Sequence, residues 1–275
     1  MIYILYLFFL FLISFISLQF TSLEIAFISI ALAPFTAFFM VFLLLAFHIP
    51  IFKLFNVKPH NSYLNYLNRQ MITLFNHLFL RMKTTLIGSF DPTLNQVIYS
   101  NHTSYSDALC VLEKVQMPMA FTPKVSILKI PFISQWIKLL GSFPIDRNNS
   151  RKTLENMIRA IQTVKNGQNM LVFPEGTVKD KYLNDVENMK AGAFKLVLKA
   201  QTYLTLIKIT GDIDVRKKVP FFPINRTVEI IETYDYESIK EITTSDLSNQ
   251  MMHTINTFTG YIDSIHPLQI DYFSI

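Results

Sequence analysis

The chain has 275 residues, 51% of them hydrophobic, and a formal net charge of +5. That length holds one sizeable core with appendages, and the mean hydropathy of +0.31 is too high for an ordinary soluble enzyme. The apolar excess is confined to the first fifth of the chain, which argues for a membrane-attached globular domain and against a multi-span transporter. No basic stripe interleaved with aromatics accompanies the positive charge, so nucleic acid is not an expected partner.

The first apolar run, Ile2 to Phe20, is about the ~20 residues that a bilayer-crossing helix needs. A second run, Ile25 to Phe47, contains Pro34, and a short polar turn from Gln19 to Glu24 separates the two. Residues 1–55 are therefore predicted to form a membrane helical hairpin. Two versions stay open: a pair of spanning helices, or a pair embedded in one leaflet with Pro34 breaking the second. No Lys or Arg opens the segment and no small-x-small site closes the first run, which disfavours a cleaved signal peptide. Lys53, Lys58, Arg69, Arg81 and Lys83 follow the hairpin, whereas its turn carries only Glu24. The positive-inside tendency places the rest of the chain in the cytoplasm. The lone Cys110 has no intrachain partner, which suits a reducing compartment.

Residues 56–245 read as the main globular domain. Asn61 and Ser62 are cap residues for a helix reaching about Lys83, with Leu64, Leu67, Met71, Leu74 and Leu78 forming its core-facing stripe. Gln96 to Ser100 is a predicted strand, followed by a helix through Glu113. Met119 to Thr122 is a strand, Ile127 to Leu140 an amphipathic segment, and Ser142 to Ile145 another short strand. A helix over Ser150 to Lys165, a strand over Asn169 to Phe173 and a helix over Ala191 to Ala200 come next. Tyr203 to Ile209 is a strand, and Thr227 to Thr233 is expected to close the sheet. A last helix from Asp246 to about Ile265 belongs to a C-terminal segment, residues 246–275. The alternation predicts an α/β fold with a central mixed sheet flanked by helices, preceded by the two-helix membrane segment.

Three polar motifs each follow a short apolar strand. In Asn101-His102-Thr103-Ser104-Tyr105-Ser106-Asp107, an Asp one helical turn after a His can fix the imidazole tautomer and leave the other nitrogen as a base. Gly141 to Arg147 ends in a guanidinium suited to phosphate. Phe173-Pro174-Glu175-Gly176-Thr177 sets a carboxylate beside a Gly that permits an unusual turn. Groups at the carboxyl ends of strands in an open α/β sheet line one crevice, so the three are expected to meet.

The ordered set resembles the motifs of the glycerolipid acyltransferase family, the 1-acylglycerol-3-phosphate acyltransferases among them. The likeness runs over roughly residues 95–235 and includes Lys124, Ile130-Pro131-Phe132 and Lys190 to Lys195. It implies His102 as catalytic base and Asp107 as its partner, with Arg147, Glu175, Gly176, Thr177 and Lys124 in the acceptor site. It implies no bound cofactor and no metal. The partners it implies are membrane lipids, a lysolipid acceptor such as 1-acylglycerol-3-phosphate, and acyl-CoA or acyl carrier protein as thioester donor. Backbone N–H groups at the start of the helix after His102 are expected to stabilise the oxyanion. Two departures stand out. Where the family commonly has Arg after Glu-Gly-Thr this chain has Val178, then Lys179, which opens the acceptor to other lysophospholipids or an amino-lipid. Tyr203 and Leu206 stand where prolines are usual, and the later Val219-Pro220-Phe221-Phe222-Pro223 falls too far downstream to replace them. Two rival readings are a lipid hydrolase using Ser104 or Ser106 as nucleophile and a non-catalytic lipid-binding protein on the same scaffold.

Overall fold

The computed structural model describes residues 1–144, 150–176, 178, 186–212, 215–219 and 221–260. Helix α1 (Ile2–Phe20) and helix α2 (Leu23–Leu54) form the expected hairpin, with only Thr21 and Ser22 between them. Helix α2 runs unbroken through Pro34 and Pro50 to Leu54, beyond the predicted end. The side chains of α2 nearly lost from solvent include Ala26, Ala33 and Ala37, small residues that let two helices approach closely. Phe8, Phe11, Phe27, Leu32 and Phe35 face outward, so the hairpin is apolar all round, as a helix pair meant for lipid is.

Helix α3 (Ser62–Leu78) starts where Asn61 accepts a hydrogen bond from the Leu64 N–H at 2.9 Å. Its Leu64, Leu67 and Leu74 are fully buried in a cluster with Tyr6, Val41, Leu45 and Phe52 of the hairpin. The helix stops short of the predicted Lys83. Arg81 takes a positive φ of 47°, and the chain turns into strand β1 (Met82–Ile87), which alternates Met82 and Thr84 inward with Lys83 and Thr85 outward. The paired β-branched Thr84 and Thr85 favour that extended form.

The remaining strands are β2 (Gln96–Ser100), β3 (Met119–Phe121), β4 (Asn169–Val172), β5 (Tyr203–Gly211) and β6 (Ile224–Tyr234). They make a mixed sheet of order β1-β6-β5-β2-β4-β3, parallel except where β5 meets β6. The expectation that the last strand closes the sheet is corrected: β6 lies inside, and the unpredicted β1 forms the edge. Residues alternate between two cores across this sheet. Val97, Tyr99, Met170 and Val172 point to one that includes residues of α6 (Ser150–Lys165), α7 (Ala191–Ala200) and α10 (Thr244–Thr257). Ile98 and Leu171 point to the other, against Cys110 and Val111 of α4 (Asp107–Lys114). Burial there pushes the Cys110 thiol up to about 11, with Arg226 nearby acting the other way. Helix α4 is tied to α3 by Asn76, whose amide donates to Glu113 at 2.7 Å.

Two further predicted elements differ. The segment Ile127 to Leu140 divides into a 3-10 turn (Val125–Lys129) and α5 (Ile133–Leu139), because Pro131 disfavours helix in the residue before it. Ser142 to Pro144 is irregular rather than a strand: the Ser142 hydroxyl, not its backbone, accepts the Phe121 N–H of β3 at 3.0 Å. Ile145 lies outside the described residues. Short helices α8 (Val215–Lys218) and α9 (Tyr236–Ile239) flank β6, and α10 ends at Thr257, short of the predicted Ile265.

Candidate active site

Strand β2 ends in a side-chain substitute for one more ladder pair. Asn101 Oδ1 accepts the Ile209 N–H at 2.7 Å, and its Nδ2 donates to the Ile209 carbonyl at 2.8 Å. This pins the strand end to β5 and sends His102 out of the sheet. The His102 backbone N–H donates to Glu175 Oε1 at 2.7 Å, and its ring stacks on Phe173 with centroids 4.3 Å apart. Phe173 and Glu175 follow β4, so two adjacent parallel strands hold one imidazole between them.

The His102 Nδ1 lies 3.0 Å from Asp107 Oδ2. The Asp107 side chain is wholly buried at the start of α4, whereas the imidazole keeps 18% exposure. Oδ2 also accepts the backbone N–H groups of Thr103 at 2.7 Å and Ser104 at 2.8 Å. Oδ1 accepts from Nη2 of Arg226, which also donates to Thr103 Oγ1 at 2.9 Å, while Nη1 donates to the Asp212 carbonyl at 2.7 Å. A proton held on Nδ1 by this carboxylate leaves Nε2 with its lone pair, the tautomer a general base requires.

Arg226 was not among the expected site residues. It stands on β6 where the strand starts, opposite Gly211 of β5, and is 1% exposed. Ile224, Arg226 and Val228 share one inward face, so a cation in the middle of an apolar alternation was the available signal.

Of the expected residues, His102, Asp107 and Glu175 are brought together. Gly176 takes φ 77° and donates its N–H to the Phe173 carbonyl at 3.0 Å, turning the chain after β4. Lys124 is exposed three residues past β3, two strands from β2, or roughly 10 Å across the sheet. Arg147, Thr177 and Lys179 lie outside the described residues. Ser104 and Ser106 are buried with their hydroxyls 3.2 Å apart, which leaves neither presented as a nucleophile to the crevice. Between His102 and α4, the Thr103 and Ser104 N–H groups are occupied by Asp107. An apolar hollow that sequence reasoning missed lies between α6, α7 and the end of β4, lined by Phe143, Met157, Val172, Ala193 and Leu196.

A sequence model of the acyltransferase family matches residues 83–226, just over half of the chain. The chain belongs to the acyltransferase family. Its match begins at β1 and ends at Arg226, so it takes in the whole arrangement around His102. This acyltransferase is 23% identical over 171 residues to a Borreliella burgdorferi protein named 1-acyl-sn-glycerol-3-phosphate acyltransferase, covering 59% of this chain and 67% of that one. It is 32% identical over 116 residues to a chloroplastic Brassica napus protein of the same name, which is 42% of this chain and 33% of that one. The chain thus spans about two thirds of the first relative and a third of the second. The crystal structure of the 1-acyl-sn-glycerophosphate acyltransferase PlsC from Thermotoga maritima shares the fold, with a TM-score of 0.55, 17% identity and 92% of each chain covered.

Proposed function

We propose that this acyltransferase moves a fatty acyl group from acyl-CoA or acyl carrier protein to the free hydroxyl of a lysolipid, with 1-acylglycerol-3-phosphate as acceptor and phosphatidate as product. The observation that carries the reading is the partly exposed imidazole backed by a buried carboxylate, 3.0 Å apart, in a chain with an apolar N-terminal hairpin. Relatives bearing the name of that reaction support the acceptor.

In this reading Nε2 of His102 takes the acceptor hydroxyl proton as the oxygen attacks the thioester carbonyl. The C–O bond forms, the C–S bond breaks, and the imidazolium returns the proton to the departing thiolate, so no acyl-enzyme is formed. Asp107 holds the imidazole, and the start of α4 supplies a favourable field for the developing oxyanion. Arg147, Glu175, Gly176, Thr177 and Lys124 are assigned to the acceptor side. Residues 1–55 serve as the anchor, 56–245 as the acyltransferase domain and 246–275 as its C-terminal segment, with the catalytic face in the cytoplasm.

Membranes carrying the wild type or His102→Ala, given labelled acyl-CoA and a panel of lysolipids, test the reading. General base catalysis is worth about 10²–10⁴-fold, so His102→Ala should lose at least that much transfer while keeping its fold. Label in phosphatidate identifies the acceptor, and label in another lipid keeps the chemistry and moves the acceptor. Activity retained by His102→Ala would remove the imidazole from the mechanism.

A further inference from the structure

The segment Val219-Pro220-Phe221-Phe222-Pro223 plays no part in the chemistry around His102, yet it carries two of the most exposed aromatic rings of the catalytic domain. Phe221 is 76% and Phe222 62% exposed. Their backbone is braced. The Phe222 N–H donates to the Lys218 carbonyl at 2.8 Å, Arg81 Nη1 donates to the Phe221 carbonyl at 2.6 Å, and the Ile224 N–H donates to the Arg81 carbonyl at 3.1 Å. Two large rings are thus held out into solvent on a backbone braced at Phe221, Phe222 and Ile224.

We propose that this turn is a second lipid-contact element, which rests the β1–β6 edge of the domain on the membrane surface. Position is the first argument. Phe222 lies four residues before Arg226, within roughly 13 Å along an extended chain, and Arg226 reaches Asp107. The turn therefore sits at the end of the sheet where His102 emerges. The hairpin projects from that same end: Phe79, just past α3, packs on Phe38 at 4.6 Å and Phe35 at 5.9 Å, so the part of α2 before Phe35 extends beyond it.

Chemistry is the second argument. The Arg81 guanidinium braces the Phe221 backbone, Lys218 is paired with Asp212, and Lys83 is exposed on the adjoining edge strand. Exposed aromatic rings beside Arg81 and Lys83 match the interface between acyl chains and anionic headgroups. A second copy of the chain would present the same two cations to itself, which favours the bilayer as occupant. This inference rests on the proposed membrane setting of the reaction, but its readout does not need the reaction.

The full chain has a single tryptophan, Trp136. In a Trp136→Phe background, Phe222→Trp and, separately, Phe27→Trp in the hairpin are placed in phosphatidylcholine–phosphatidylglycerol vesicles containing brominated lipids. The expected result is at least twofold quenching and a blue shift for both, with Phe222→Trp quenched best by bromines near the headgroup. Quenching of Phe27→Trp with none at Phe222→Trp would leave the hairpin inserted and overturn the second contact. Absence of quenching at both would overturn the contact and the membrane setting together. A blue shift at Phe222→Trp that tracks protein concentration rather than lipid would assign the turn to a second copy. In the otherwise unaltered chain, Phe221→Ser with Phe222→Ser should lower transfer to acceptor in vesicles several-fold and leave transfer in detergent micelles unchanged; equal loss in both would also overturn the proposal.

Discussion

At the His102–Asp107 pair the carboxylate accepts from the imidazole, two backbone amides and Arg226, so its position is set by the whole loop and by a distant strand. Removing one partner of a buried ion pair costs about 3–5 kcal/mol, because the other charge is left without compensation. Arg226→Met should therefore lower the urea midpoint and depress kcat together. Arg226→Lys keeps the charge but loses the planar fork that reaches Asp107, Thr103 and Asp212, so it should recover stability better than rate. His102→Ala gives the contrasting signature, with rate lost and fold retained. The dyad was legible because H-x4-D puts both members on one turn. Arg226 was not, because it pairs with Asp107 across 119 residues and only the topology brings them together.

The segment joining β5 to β6 sets where Arg226 stands. Gly211 has φ 98°, and a Cβ there would lie 2.4 Å from the Asn225 carbonyl oxygen. Gly211→Ala should destabilise the domain by about 1–3 kcal/mol, and it should reduce activity as well, because the displaced strand carries Arg226; denaturant titration and kcat measure the two effects. Next to it, burial works to raise the Asp212 carboxyl, but the Asn225 N–H, Lys218 and Arg226 outweigh it and hold the group below its ordinary 3.8. A depressed carboxyl stabilises the fold above its unfolded value and stops doing so as pH falls through the folded one. The penalty of Asp212→Asn in urea unfolding should thus be full at neutral pH and shrink below 3.8. Elements marked by an unbroken apolar run or by a helical stripe were legible to the residue: α1, β2, α6 and α7 begin and end as expected. β1 was not, because its alternation follows the helical stripe of α3 without a Gly or Pro to separate them. Ser142 to Pro144 misled because an apolar run beside a strand can bond through a side chain instead of a ladder.

For the molecule as a whole, the two apolar runs announced a hairpin but not how much of it is free to enter lipid. Much of α2 is occupied by packing on α3 and α5. The free part, Leu23 to Pro34, is twelve residues or roughly 18 Å long, well short of the ~30 Å hydrocarbon core. That length favours insertion into one leaflet. Ser22→Cys at the hairpin turn should resist a membrane-impermeant maleimide applied to either side of sealed vesicles and react once detergent is added. Labelling from the side opposite the domain would mean that the helices cross. The mixed sheet and its helical layers were legible from the alternation of short strands and helices, whereas the strand order, with β6 between β1 and β5, required the register.

The hairpin projects from the end of the sheet at which His102 emerges, and this changes the kind of search that the enzyme conducts. The proposed lysolipid acceptor need not be extracted from the bilayer, since a single-tailed lipid with its hydroxyl at headgroup level would arrive by lateral diffusion. Encounter is then two-dimensional, governed by the mole fraction of acceptor in the surface rather than by its amount in the bulk. Inert lipid becomes a diluent, and the membrane itself sets the working concentration.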